Sequence, residues 1–162
     1  MNVSAHDMGL AGLDSLEGVD ALCLFVGEDD RPLPGSAGYV DWRLCGALSR
    51  VLQSGFFVGA RDDSLLLPTD GRFRVPRIFV MGLGRRRGLQ AASLGEALAH
   101  AGQVLSRAGV ESVALELPGA PALDESTRAS LLGERFLPAF KGSTVAVLAD
   151  KELARRLPGR KS

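Results

Sequence analysis

A chain of 162 residues with 46% apolar and 23% charged side chains is long enough for one domain with a real core, and its composition is ordinary for a soluble globular protein. Lys plus Arg and Asp plus Glu number 19 each, so no overall charge draws the chain to nucleic acid or to a membrane surface. No apolar run reaches the roughly 18–20 residues that span a bilayer, and two cysteines exclude a disulfide framework. The charge is uneven, with net −4 over residues 1–81 and net +4 over residues 82–162. The opening MNVSAHDMGL lacks the basic and apolar regions of a signal peptide, so a cytoplasmic location is expected. Cys23 and Cys45 read as small buried thiols in a reducing compartment.

Residues 2–8 read as a short edge strand, and leucines at 10, 13 and 16 suit one or two helical turns over Leu10–Gly18. Ala21–Val26 is continuously apolar and reads as a central strand covered on both faces. The Pro- and Gly-rich stretch Arg31–Gly38 is a loop. Tyr39–Ser54 reads as one helix, with Val40, Leu44, Leu48 and Val51 on its apolar face, Trp42, Cys45 and Leu52 widening it, and Gly55 as its stop. Phe56–Val58 and Ser64–Leu67 are strand candidates joined by Gly59–Asp63, which predicts an antiparallel hairpin and hence a mixed sheet. Pro68–Pro76 is turn-rich and leads to a strand over Arg77–Met81.

That strand opens into Gly82-Leu83-Gly84 and Arg85-Arg86-Arg87 ahead of a long amphipathic segment, a strand–turn–helix succession of the α/β kind. Ser93–Ala108 reads as a helix with Leu94, Leu98, Ala101, Leu105 and Ala108 inward and Glu96, His100, Gln103 and Arg107 outward. Ser93 with Glu96 fits a capping box and Gly109 a stop. A strand follows over Ser112–Leu117. Asp124 is placed to cap a helix running to about Phe136, Thr144–Leu148 is the last strand, and Lys151–Leu157 a short basic helix. Residues 1–150 then form the domain and residues 151–162 a terminal helix and tail.

The runs ALCLFVGEDD, YVDWRLCGALSRVL, GFFVGARDDSLLLP and RIFVMGLG, in that order, resemble the N-terminal domain of the M17 leucyl aminopeptidases. The matching residues are Asp41, Gly55-Phe56 with Gly59, Leu65–Leu67, and Gly82-Leu83-Gly84, and the likeness covers about residues 20–150. The resemblance implies a three-layer α/β/α, macro-domain-like fold with a mixed sheet. In that family the metal ions sit in a separate C-terminal domain, and nothing here resembles its Asn-Thr-Asp-Ala-Glu-Gly-Arg signature. The resemblance therefore implies a stand-alone, non-catalytic homologue of the accessory domain. Such a chain would act as an interaction or regulatory module, docking to an aminopeptidase catalytic subunit or to a second copy. Alternatively the chain is a fragment or subunit of an M17 metallo-aminopeptidase. No cofactor is expected.

Among candidate sites, Gly82, Gly84, Arg85, Arg86 and Arg87 come first, because a glycine turn before a helix offers free N–H groups and guanidinium donors to a phosphate. Macro-like folds bind ADP-ribose at comparable turns, so a phosphate-bearing small molecule is an alternative ligand. The dinucleotide fingerprint fails, since position 87 is Arg and the next glycine is Gly88. Asp41 and Trp42 form a second candidate, a partner interface, although a macrodipole role for Asp41 and a buried flank for Trp42 would explain both. The basic residues Arg85–Arg87, Arg155, Arg156, Arg160 and Lys161 would make a nucleic-acid patch if they shared one face; few aromatics and a neutral total argue against nucleic acid. His6 and His100 are remote from each other, and the acidic turns Glu28-Asp29-Asp30 and Asp62-Asp63 lack Ca²⁺-loop spacing, so no metal site is expected. Neither cysteine has a base nearby in sequence, so no catalytic residue is assigned.

Overall fold

The computed structural model describes residues 1–159. Six strands form one sheet: β1 (Asn2–His6), β2 (Ala21–Val26), β3 (Ser64–Pro68), β4 (Arg77–Gly82), β5 (Ser112–Glu116) and β6 (Thr144–Leu148), in the order β1-β6-β5-β2-β4-β3. All neighbouring pairs are parallel except β3 with β4, so the sheet is mixed. The edge strand read at residues 2–8 is β1, paired with β6. Strand β2 lies between β4 and β5, and its period-two alternation divides the core. Ala21, Cys23 and Phe25 join one apolar cluster, and Leu22, Leu24 and Val26 join the other.

On the first face lie α4 (Ala91–Arg107), α5 (Glu125–Leu131), a π-helical turn (Leu132–Phe136) and α6 (Lys151–Arg156), contributing Leu94, Leu98, Leu132, Phe136 and Leu153. On the second lie α1 (Leu10–Asp14), α2 (Gly35–Arg43) and α3 (Ala47–Ser54), contributing Leu13, Val40, Leu48 and Leu52. Asp124 caps α5 by accepting from the Thr127 N–H at 2.7 Å, and Asp150 caps α6 by accepting from the Leu153 N–H at 2.8 Å. No helix among the described residues is long and apolar enough to cross a membrane.

Four expectations need correction. The helix read as Tyr39–Ser54 is two helices, broken where Cys45 (φ 55°) and Gly46 (φ 81°) both take left-handed backbone. Within α2, Trp42 points away from the buried Ser36, Ala37 and Val40 and is 71% exposed rather than buried on a flank. Cys45 is exposed as well, and only Cys23 is buried. Phe56–Val58 is no strand: this segment crosses the ends of β2 and β4, where the Gly59 carbonyl accepts from the Gly84 N–H at 2.9 Å. The antiparallel partner of β3 is instead β4. Finally, α4 begins at Ala91, so Ser93 lies inside it and makes no capping box. Two alanines, strong helix formers, extend the first turn backward, and Glu96 pairs with Arg61.

Candidate functional site

Helices leave β2 and β5 toward opposite faces of the sheet, so the carboxyl ends of these adjacent strands form a topological switch point, where α/β sheets place their ligands. A hollow of about 130 Å³ lies there, lined by Phe25, Gly35, Arg86, Glu116, Pro118 and Gly119. The Gly82–Arg87 turn borders it from the end of β4.

Many of the turn's polar groups already have partners inside the protein. The N–H of Gly82 donates to the Asp63 carbonyl at 2.9 Å and that of Leu83 to the Val26 carbonyl at 3.0 Å, while the Gly84 carbonyl accepts from the Glu28 N–H at 2.8 Å. The two amides that face outward, Arg86 N–H and Arg87 N–H, donate to the Asp29 carboxylate at 2.7 and 2.9 Å. Those bonds, the Arg87 one foremost, hold the Asp29 carboxyl below its ordinary value of 3.8. The Arg86 guanidinium forks onto the Asp30 carboxylate at 2.7 and 2.8 Å, and Asp30, itself buried, also accepts from the Gly27 N–H at 2.7 Å. A second carboxylate fills the equivalent seat on α2: Glu116 accepts from the Ser36 N–H at 2.9 Å in the first turn of that helix. Of the turn's three guanidiniums, Arg85 and Arg87 remain exposed, around an open hollow shared with Glu28 and Asp29.

Asp29 and Asp30 of the acidic turn are therefore an internal counter-anion. Its sequence signal, carboxylates directly after a buried strand facing arginines directly after its neighbour, was legible only with the β2–β4 pairing in hand. Asp41 sits in the last turns of α2, not at a helix start, yet its carboxylate accepts from the Ser49 N–H at 3.0 Å and from the Ser49 hydroxyl, serving the first turn of α3 across the break. Beside it, Trp42 lines a groove of about 620 Å³ with Arg31, Pro32, Leu33, Cys45 and Leu52. Phe56, 82% exposed, follows α3. The groove draws its lining from both sides of the α2–α3 break, which one unbroken helix would not supply.

Among the remaining candidates, His6 Nε2 lies 3.2 Å from the Ser4 hydroxyl, and His100 is half-buried with Nε2 shielded from solvent and without a hydrogen-bond partner. Among the described residues no group of three or more His, Cys, Asp or Glu side chains is placed to share a metal ion. Burial pushes the Cys23 thiol far up. Arg155 and Arg156 end α6, which follows β6, whereas Arg85–Arg87 follow β4, with β5 and β2 between the two strands; Arg160 and Lys161 lie outside the described residues.

The family model for the cytosol aminopeptidase family, N-terminal domain, matches residues 22–139. The chain belongs to that family. A probable cytosol aminopeptidase of Geobacter sp. (strain M21) is 32% identical over 105 residues, which is 62% of this chain and 21% of that protein. The chain thus spans about a fifth of this curated relative's length. A tomato leucine aminopeptidase mutant superposes with a TM-score of 0.67 at 18% identity, over 97% of this chain and 34% of that one. The macrodomain of Mycobacterium tuberculosis DarG superposes at 0.69 with 16% identity, over 91% of this chain and 98% of that one. Thermosipho africanus DarTG in complex with ADP-ribose superposes at 0.64 with 13% identity, over 91% of this chain and 42% of that one. The family member's fold is accordingly a macrodomain-like α/β sandwich with a mixed sheet.

Proposed function

We propose that this cytosol aminopeptidase N-terminal domain acts as a non-catalytic interaction module whose partner is an aminopeptidase catalytic part of the same family, in trans or in one polypeptide. The observation that carries this reading is the outward display of Trp42 and Phe56, at 71% and 82% exposure, in a chain only 6% aromatic. Large aromatics turned to water, Trp42 among them on an apolar-lipped groove, have the character of an interface anchor. The family relationship supports this choice of partner, since the relatives carry several-fold more chain than this domain.

Size-exclusion chromatography with light scattering and calorimetry, using a separately expressed M17 catalytic domain, tests it. A stoichiometric complex of micromolar or tighter affinity is expected; no complex at high concentration of both overturns it. Pure chain is expected to leave leucine-p-nitroanilide intact with Mn²⁺ or Zn²⁺, and clear turnover would replace this reading with an active aminopeptidase.

A second reading, a phosphate-bearing ligand at the Gly82–Arg87 turn, draws support from the likeness to the DarTG complex with ADP-ribose and from the exposed Arg85 and Arg87. Against it, Asp29 holds the two outward amides. Heat on titration with millimolar ADP-ribose would favour it over the first.

A further inference from the structure

The groove beside Trp42 has a charge pattern as well as an apolar lip. Arg31 lines it, and the exposed side chains of Arg50 and Arg72 both reach Cys45, another lining residue. Arg31 donates to the Asp30 carbonyl at 2.7 Å, Arg50 to the Cys45 carbonyl at 2.7 Å, and Arg72 to the Cys45 sulfur at 3.6 Å. Among the described residues, none of these three arginines forms an ion pair with a carboxylate. Of the acids nearby, Asp30 pairs with Arg86 and Asp14 with Arg43, while Asp41 lines the groove itself with its carboxylate held by Ser49. A groove with an aromatic lip is thus flanked by three arginines against one lining carboxylate, an excess of cations.

We propose that this groove docks an acidic segment of a protein partner that carries an apolar anchor. The anchor sets against Trp42, Leu33 and Leu52, and the acids meet Arg31, Arg50 and Arg72. Burial of the anchor supplies most of the affinity, while the exposed arginines supply orientation and salt sensitivity. This deepens the interaction-module reading and rests on it.

Trp42 is the single tryptophan, so its emission reports on the groove directly. The full chain is titrated with a fluorescein-labelled 16-residue peptide of repeating Glu-Leu-Leu-Glu and with its Lys-for-Glu counterpart, at low and at high salt. The acidic peptide is expected to saturate the chain, shift Trp42 emission to the blue, and weaken severalfold as salt rises. Exchanging both Arg50→Glu and Arg72→Glu should weaken it at least tenfold, whereas Arg155→Glu with Arg156→Glu, on α6, should leave it unchanged. Equal binding of the lysine peptide, binding that leaves Trp42 emission unmoved, or indifference to the Arg50/Arg72 exchange overturns the proposal. So does displacement of the peptide by a second copy of the chain or by single-stranded DNA. If the catalytic domain binds while the acidic peptide does not, the interaction reading survives and the groove assignment falls. If the peptide binds and the catalytic domain does not, the groove stands and the partner named above falls.

Discussion

At the ends of β2 and β4, the Asp29 and Asp30 carboxylates answer two amides and the Arg86 guanidinium of the Gly82–Arg87 turn, the Glu28 N–H donates to the Gly84 carbonyl, and Gly82 lies against neighbouring backbone. At the α2–α3 break the reverse holds. The backbone turns in left-handed conformation at Cys45 and Gly46, Trp42 faces water, and three arginines lack carboxylate partners among the described residues. The first region satisfies most of its polar groups within the fold; the second leaves a tryptophan and three guanidiniums facing water, the asymmetry on which the proposed docking rests. Sequence conspicuousness ran the other way, since Gly-Leu-Gly-Arg-Arg-Arg draws the eye and Trp-Arg-Leu-Cys-Gly does not.

The contrast breaks first at Gly82. A Cβ there would overlap the Ala60 carbonyl oxygen, held by the segment crossing the strand ends. Gly82→Ala should cost about 4 kcal/mol in urea unfolding, the size expected when rigid backbone rather than a flexible side chain must yield. Asp30→Ala comes next. It strands the quarter-exposed Arg86 guanidinium and the Gly27 N–H of a buried site, at a cost of about 3 kcal/mol; a midpoint unmoved by this change would mean the pair adds nothing.

Acid sharpens the comparison. Unfolded, Asp29 protonates near its ordinary 3.8, and folded it protonates lower, so its contribution is whole above 3.8 and is lost as pH falls through the native value. Asp29→Asn should therefore make the fall in urea midpoint between about pH 4 and pH 2 shallower. It should not flatten it, because Asp14 beside Arg43 and Asp124 on the Thr127 N–H are lowered too. Smallest of all, Trp42→Ser and Phe56→Ser should each change stability by less than about 0.5 kcal/mol, as for exposed residues without native contacts to lose. A loss above 2 kcal/mol in either would make it part of the core and remove the second region from the comparison.

The layered fold was legible because its signals are local. ALCLFV, RIFVMG and TVAVL could only be buried strands, and the 3.6-residue period of α4 and the Asp124 cap are written within single segments. The helix break was not legible in apolar periodicity, since Val40, Leu44, Leu48 and Val51 keep nearly the same spacing across it; Gly46 was the available signal. The arginine turn was seen as a possible anion seat because only its own residues were in view. Its occupant comes from the loop after β2, more than fifty positions earlier in the chain, and pairing at that separation is set by sheet order.

Strand β2 faces both cores at once, with alternate side chains on either side of a single thin wall. Deleting one residue from Ala21–Val26 would exchange the occupants of the two cores together, pressing Phe25 into the space shaped for Leu24 and withdrawing it from its own. Length is thus fixed far more tightly in these six positions than in the surface turns that end the strand.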